Sequence, residues 1–293
     1  REKGLTITLR ESFDWPVNPR WEATTAEYAG TVGYDQATRM PINYQAGTPY
    51  PGVSLDDPDA GMKLMWNAYF AHQNANHNGS EFTFLFIDQK KGLERRQQWA
   101  FDRYYISSRI QPGPAIEPGA RGVHYHQVLY ARKPDDIRGV GLFNIRKLDG
   151  SVDNIWAYLK SVRRTRRLSG GAWMDPVGGT DLLNDEPYIT SNFPTWYEGY
   201  KVLETKTLLM PTGTDVTWNR KGKTIAEEFP TMDLENAPYG NPILPWAVRE
   251  VYVMAVTPPA EHPYLRKTWY MDTQLPLYHL AENYDKQDEG QLC

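Results

Sequence analysis

Sulfur chemistry is almost absent from this chain: the sole cysteine among 293 residues is Cys293. Neither a disulfide framework nor a cysteine-ligated metal centre is available to it. Long hydrophobic runs are missing too, and nothing approaches the ~18 consecutive apolar residues of a membrane-crossing helix. An excess of one charge is also lacking. The chain carries 32 Lys+Arg against 36 Asp+Glu, a formal net charge of −4, so no global field gathers nucleic acid or another polyanion. Phosphate loops, dinucleotide fingerprints, nucleophile elbows and HExxH helices do not occur. Internal repeats and low-complexity tracts are absent, as is an opening charged-then-apolar leader. The expectation is a cytosolic chain or one whose leader has been removed.

Aromatic residues are plentiful: 10 Trp, 19 Tyr and 9 Phe place much of the apolar surface in flat rings, which suit strands and aromatic-lined cavities. Two helical segments come first. In NPRWEATTAEYAG, Asn18 is a cap, Pro19 occupies the first turn and Gly30 closes the segment. In LDDPDAGMKLMWNAYFAHQNAN, Asp57 is a cap, and Met62, Met65, Trp66, Tyr69 and Phe70 recur at helical spacing, predicting an amphipathic helix packed on a core.

From about residue 81 the period changes to two. EFTFLFID, ERRQQWAFDRYYISSRI, VHYHQVLYAR, GVGLFNIRKL, NIWAYL, VRRTRRL, YKVLETKTLLM, REVYVMAV, LRKTWYMD and PLYHLAENYD read as strands between Gly, Pro and Asn/Asp clusters. Ten such segments without alternating helices predict a mainly β, α+β fold: a large curved antiparallel sheet forming an unclosed barrel around helices and loops. Residues 1–293 form a single domain in this reading, with a helical and loop entry segment over 1–80 and the sheet over 81–293. The glycine- and proline-rich stretches after Leu168 and after Pro211 are long enough to be lids.

The densest cationic run is VRRTRRL. As a strand it sends Arg164 and Arg166 to one face and Arg163 and Arg167 to the other. This division fits a solvated strand, or an anion-binding rim using the planar guanidinium fork, better than a nucleic-acid platform. His124 and His126 in VHYHQ, two apart, are expected on one face as the start of a metal site. His72, His77, His262 and His279 are scattered and complete none. No metal, cofactor or catalytic constellation is nominated.

In their order along the chain, FDWPVNPRW, GTPYPGVSLDDPDAGMKLMWN, WAYLKSVRRTRRL, REVYVMAV and RKTWYMDTQLPLYHLAENYD resemble an uncharacterised family of periplasmic proteins related to the outer-membrane lipoprotein-sorting carriers of the Lol type. The resemblance covers roughly residues 12 to 290. It implies a bent, unclosed sheet with a lid over an apolar cavity that holds acyl chains or another hydrophobe. It further implies a mature, periplasmic chain, free or associated with the outer membrane, acting with exporters of the resistance-nodulation-division (RND) or mycobacterial-membrane-protein-large (MMPL) type. Related chains continue past the NYD segment, so an edge strand is expected to be missing here or supplied by a partner.

The function so implied is a non-enzymatic periplasmic carrier for a lipid, lipoprotein acyl chain or other hydrophobe. Its nominated lining is Met65, Trp66 and Tyr69 of the second helix with Trp99, Phe101, Trp156, Tyr158, Trp269 and Met271 of the strands, and Arg164 and Arg166 are the nominated head-group contacts. Strand alternation puts Trp99, Phe101 and Arg103 on one face but does not say which faces look inward. Two readings compete: an adaptor that docks on an exporter or outer-membrane barrel without binding a ligand, and a metal-dependent hydrolase using His124 and His126.

Overall fold

The computed structural model describes residues 7–71, 76–110, 112–160, 163–168, 172–176, 180–186, 192–213, 218–287 and 290–292. His72, Ser161, Val162, Cys293 and parts of the two long connections lie outside them. The fold class is the expected one, mainly β, with 42% strand and 13% helix. Among the described residues no helix is long and apolar enough to cross a membrane.

Helix α1 (Pro19–Tyr28) starts as its sequence dictates: Asn18 accepts a hydrogen bond from the Arg20 amide at 3.0 Å, and Trp21 and Thr24 are buried. Gly30 does not close it. It falls within a 3-10 turn at Ala29–Thr31. A short hairpin, β1 (Gly33–Asp35) and β2 (Met40–Ile42), leads towards helix α2 (Ala60–Ala71). Asp57 organises the turn before α2, accepting from the Asp59 amide at 2.8 Å, so the helix begins slightly later than the cap position predicts.

The expected stripe of α2 is buried, but so are Leu64, Asn67 and Ala68. The helix is a central element enclosed on two sides, not an amphipathic one with a wet face. Leu64, Met65 and Ala68 pack with Met254, Trp269 and Met271, whereas Met62, Trp66, Tyr69 and Phe70 pack with Trp21, Ile110 and Phe193. Its one buried amide, Asn67, is satisfied by both backbone groups of Tyr50, at 2.9 and 2.8 Å.

The strands fall within a few residues of the predicted segments. β3 (His77–Asp88), β4 (Gly92–Tyr105), β5 (Val123–Lys133), β6 (Gly141–Lys147), β7 (Asn154–Leu159) and β8 (Arg164–Leu168) form an antiparallel six-stranded sheet in chain order. After the long connection comes β9 (Gly199–Pro211), then an excursion holding α3 (Ile225–Glu228), β10 (Met232–Asp233) and β11 (Asn241–Pro242). Last come β12 (Trp246–Thr257), β13 (Arg266–Asp272), β14 (Tyr278–Tyr284) and β15 (Gly290–Leu292). The second sheet has the order β15-β14-β13-β12-β9. The unclosed sheet is thus carried by two antiparallel sheets of six and five strands.

Helix α2 lies directly on β9. A Cβ at Gly61 would sit 2.2 Å from the Tyr200 carbonyl oxygen, so only glycine permits the approach. The amino-terminal residues strap the same five-stranded sheet at β12 and β13. Arg10 and Thr8 exchange backbone hydrogen bonds with Trp246 at 2.9 and 2.8 Å, and Trp15 donates its indole N–H to Asp272 at 3.2 Å. The strap explains why FDWPVNPRW and WYMDTQLP, far apart in sequence, are two ends of one structure.

Candidate functional site: the helix-side face of the six-stranded sheet

Directly paired residues of antiparallel strands share a face, so the register defines a surface. One row runs Ser80, Phe101, Leu129, Leu142, Ala157, Arg166, and its neighbour runs Phe82, Trp99, Ala131. Phe84 and Gln97 extend the surface further along β3 and β4. In the opposite direction the rows become polar: Asn78, Arg103, Gln127, Asn144, and then Tyr105, Tyr125, Arg146. At that end the face meets α2, where the Arg146 guanidinium lies 3.5 Å from the Tyr69 hydroxyl.

Exposure is graded along the same direction. Tyr105, Tyr125 and Arg146 are buried; Phe101, Ala131 and Ala157 are buried at the middle; and Phe82, Phe84, Trp99, Leu129 and Leu142 are half-buried. None of these apolar residues belongs to the two buried clusters around α2. The result is a contiguous apolar strip of sheet with a cationic end.

The cationic end has unequal members. Arg146 grips Asp153 through Nε and Nη2, the latter at 2.8 Å, and Asn144 donates to the same carboxylate at 2.7 Å. Its charge is matched. Arg103 donates from Nε to the Gln127 side-chain oxygen at 2.8 Å and from Nη1 to the Tyr105 hydroxyl at 3.3 Å, both neutral acceptors. Its guanidinium lies 4.2 Å from the centre of the Tyr125 ring, and that of Arg146 lies 5.5 Å from it. Burial, with the charges of Arg146 and Arg103 beside it, pushes the His124 imidazole well below its ordinary pKa. It is therefore a neutral partner for Tyr69, 3.0 Å away.

The structure separates the nominated residues. Trp99 and Phe101 share the helix-side face, with Arg166 at its edge in the row of Phe101 and Arg164 across from Leu159. Arg164 and Arg166 are both exposed. Trp156 and Tyr158 lie on the opposite face, in rows with Phe143, Val128 and Tyr130. Met65, Trp269 and Met271 are at most 1% exposed beneath α2, and Trp66 and Tyr69 belong to the other buried cluster. No single surface brings all eleven together.

The two strand histidines point apart. The register of β5 against β6 skips a residue between Val123 and Tyr125, which turns His124 into the core beside Tyr125 and leaves His126 on the opposite face, 5.8 Å from Phe143. Simple alternation fails at such an irregularity. Among the described residues no three His, Cys, Asp or Glu side chains gather as metal ligands. The opposite face also carries a recess of about 300 Å³, lined by Arg96, Gln98, Lys133, Pro134 and Asp135.

Two buried ionic clusters went unforeseen. In one, Asp185 meets Lys267 at 2.5 Å, His262 at 3.0 Å and the Tyr197 hydroxyl. The Tyr264 amide donates to His262 Nδ1 at 3.0 Å, which leaves Nε2 as the proton donor to Asp185. Burial alone would raise the carboxyl, but the bonds from His262 and Lys267 prevail and hold it at about 2. All four side chains are at most 2% exposed, so the cluster ties the connection after β8 to β13 and is closed to ligands. In the other, Asp272 receives a bidentate pair from Arg249 at 2.8 and 3.0 Å and a bond from His279 at 2.9 Å. Strand periodicity carries no signal for either, because it does not say which residues of different strands and connections meet.

These features define a mainly β protein built from two open antiparallel sheets about a buried central helix, with one sheet face apolar and cationic at one end. The chain belongs to the family described as "Protein of unknown function (DUF1329)", whose profile matches residues 4–292. A DUF1329 family protein from Desulfovibrio piger is similar in structure at 15% identity, TM-score 0.48, over 77% of this chain and 72% of that one. A putative outer membrane lipoprotein-sorting protein domain from Vibrio parahaemolyticus is similar at 13% identity, TM-score 0.44, over 73% and 66%. A LolA superfamily protein from Nitrosomonas europaea is similar at 12% identity, TM-score 0.40, over 78% and 74%. No curated protein matches the chain.

Proposed function

We propose that this protein is a non-catalytic binder and carrier of a hydrophobic molecule, which it holds against the helix-side face of the six-stranded sheet. The observation that carries the reading is the strip formed by Phe82, Trp99, Phe101, Leu129, Leu142 and Ala157, continuous across five strands and partly open to solvent. Removing apolar ligand surface from water contributes roughly 25 cal/mol per Å². A ligand burying ~300 Å² would gain about 7 kcal/mol before association and ordering costs, which supports micromolar binding. Trp99 and Phe101 are the central contacts, and Arg164 and Arg166 of the exposed edge strand form an outer rim.

The ordered motifs support a periplasmic setting and hand-over to or from an envelope exporter of the RND or MMPL type. Native mass spectrometry of the protein purified without detergent, followed by organic extraction, tests the binding. A lipid or other hydrophobe at near-stoichiometric occupancy, diminished in Trp99→Ala/Phe101→Ala, is the expected result. A chain that is empty and takes up no offered lipid overturns it.

The opposite face favours a second reading, a docking adaptor. Val128, Phe143, Tyr104 and Tyr158 there are each at least 36% exposed. Recovery of a membrane protein with the empty chain, abolished by Phe143→Asp, would replace the carrier reading with this one.

A further inference from the structure

The uneven pairing of the two guanidiniums on the helix-side face goes further than the carrier reading, on which this inference rests. We infer that Arg103 is the head-group site for a long-chain acid whose carboxylate docks on its guanidinium while its tail lies along the apolar rows.

A half-buried cation is costly unless an anion or a full set of acceptors compensates it. Arg146 has its anion in Asp153, but among the described residues no carboxylate pairs with Arg103. Of the five N–H groups of a guanidinium, one on Nε and one on Nη1 are engaged by neutral oxygens, and Nη2 makes no hydrogen bond within the described protein. Those two bonds and the Tyr125 ring at 4.2 Å fix the plane of the fork. It is therefore pre-oriented for a planar, bidentate acceptor.

The net charge selects among anions. With Arg146 neutralised by Asp153, and with Tyr69, Tyr125 and His124 uncharged around neutral pH, the cationic end of the strip carries a single positive charge. A monoanionic carboxylate balances it, whereas a phosphate monoester brings a second charge without a partner.

The dimensions agree as well. Arg103, Phe101, Trp99 and Gln97 follow one another on the same face of β4, a span of roughly 20 Å at ~3.3 Å per residue. One leaflet of a bilayer's hydrocarbon core, the depth filled by an acyl chain, is about 15 Å. The rows after Arg103 are apolar through Trp99, roughly 13 Å at ~3.3 Å per residue, and Phe84 opposite Gln97 continues the apolar surface, so a tail leaving Arg103 meets apolar surface over most of its length.

The test measures dissociation constants of the full chain for palmitic acid, hexadecanol and hexadecyl phosphate below their micellar concentrations, in wild type, Arg103→Gln, Arg103→Lys and Arg167→Gln. The wild type is expected to bind the acid at least tenfold more tightly than the alcohol and more tightly than the phosphate. Arg103→Gln should lose the acid preference and retain the alcohol. Arg103→Lys, which keeps the charge without the fork, should lose several-fold on the acid; it decides the matter should the glutamine variant fail to fold. Arg167→Gln, on the other face, should behave as wild type. Equal binding of acid and alcohol by the wild type, or an acid preference that survives in Arg103→Gln, overturns the Arg103 assignment and leaves the carrier reading standing. A tighter phosphate overturns the choice of carboxylate. Absence of binding by all three overturns both.

Discussion

The hydroxyl of Tyr69 and Nδ1 of His124 lie 3.0 Å apart, both side chains buried, joining the central helix to the irregular start of β5. Because His124 is neutral in the folded protein and has an ordinary pKa near 6.5 when unfolded, only the unfolded chain takes up its proton just below that pH. Stability due to His124 is therefore complete above about pH 6.5 and is lost as the pH falls towards its depressed folded value. The decline should approach ~1.4 kcal/mol per pH unit once the unfolded histidine is protonated. Urea unfolding from pH 7.5 to 5 should show this slope in the wild type and a shallower one in His124→Asn, whatever the variant's absolute stability. Parallel pH profiles would refute it.

Arg249 and Asp272 form a buried ion pair of the five-stranded sheet, and Arg249 also donates to the Phe13 carbonyl and Gln274. Removing one member strands a buried charge, at a cost of about 3–5 kcal/mol. Asp272→Ala is expected to lose that much and to release the strap around Trp15 as well, since Asp272 accepts its indole N–H. Limited proteolysis should then cut near residues 10–17 in the variant while sparing the wild type. A large stability loss with unchanged cleavage would show that the strap is held by its backbone pairing with β12 alone.

Gly61 provides a steric test. In an exposed helix Gly→Ala gains about 1 kcal/mol. At this position the new methyl would meet the Tyr200 carbonyl, and overpacking costs about 1–3 kcal/mol. A net loss in chemical denaturation is expected for Gly61→Ala; a gain would mean that α2 can lift from β9 without penalty.

Much of the architecture was legible because strands buried on one face alternate. NIWAYL is a strand from its first residue to its last, and the shared face of Trp99, Phe101 and Arg103 followed from period two alone. What alternation could not convey was which sheet each strand joins and which face is covered. Trp156 and Tyr158 therefore look equivalent to Trp99 and Phe101 in sequence but lie on the other side. His124 escaped for a local reason, the skipped residue in the register of β5. Arg103 was obscured by company: the run at Arg163–Arg167 is conspicuous because it is dense, yet its described strand is exposed throughout, whereas Arg103 is a single cation between Phe101 and Tyr105 on its face of β4. Its significance depends on Asp153 being committed to Arg146, a fact of tertiary pairing.

β8 closes the six-stranded sheet with only five residues, three of them arginines, all exposed, and among the described residues nothing pairs with its far edge. A flat apolar strand there would invite a second molecule to extend the ladder. Two copies meeting at this edge would instead bring like charges together along a short seam. An open sheet can thus keep its inner face accessible without becoming the first layer of a fibre, and the arginines act as an insulator for the solution state.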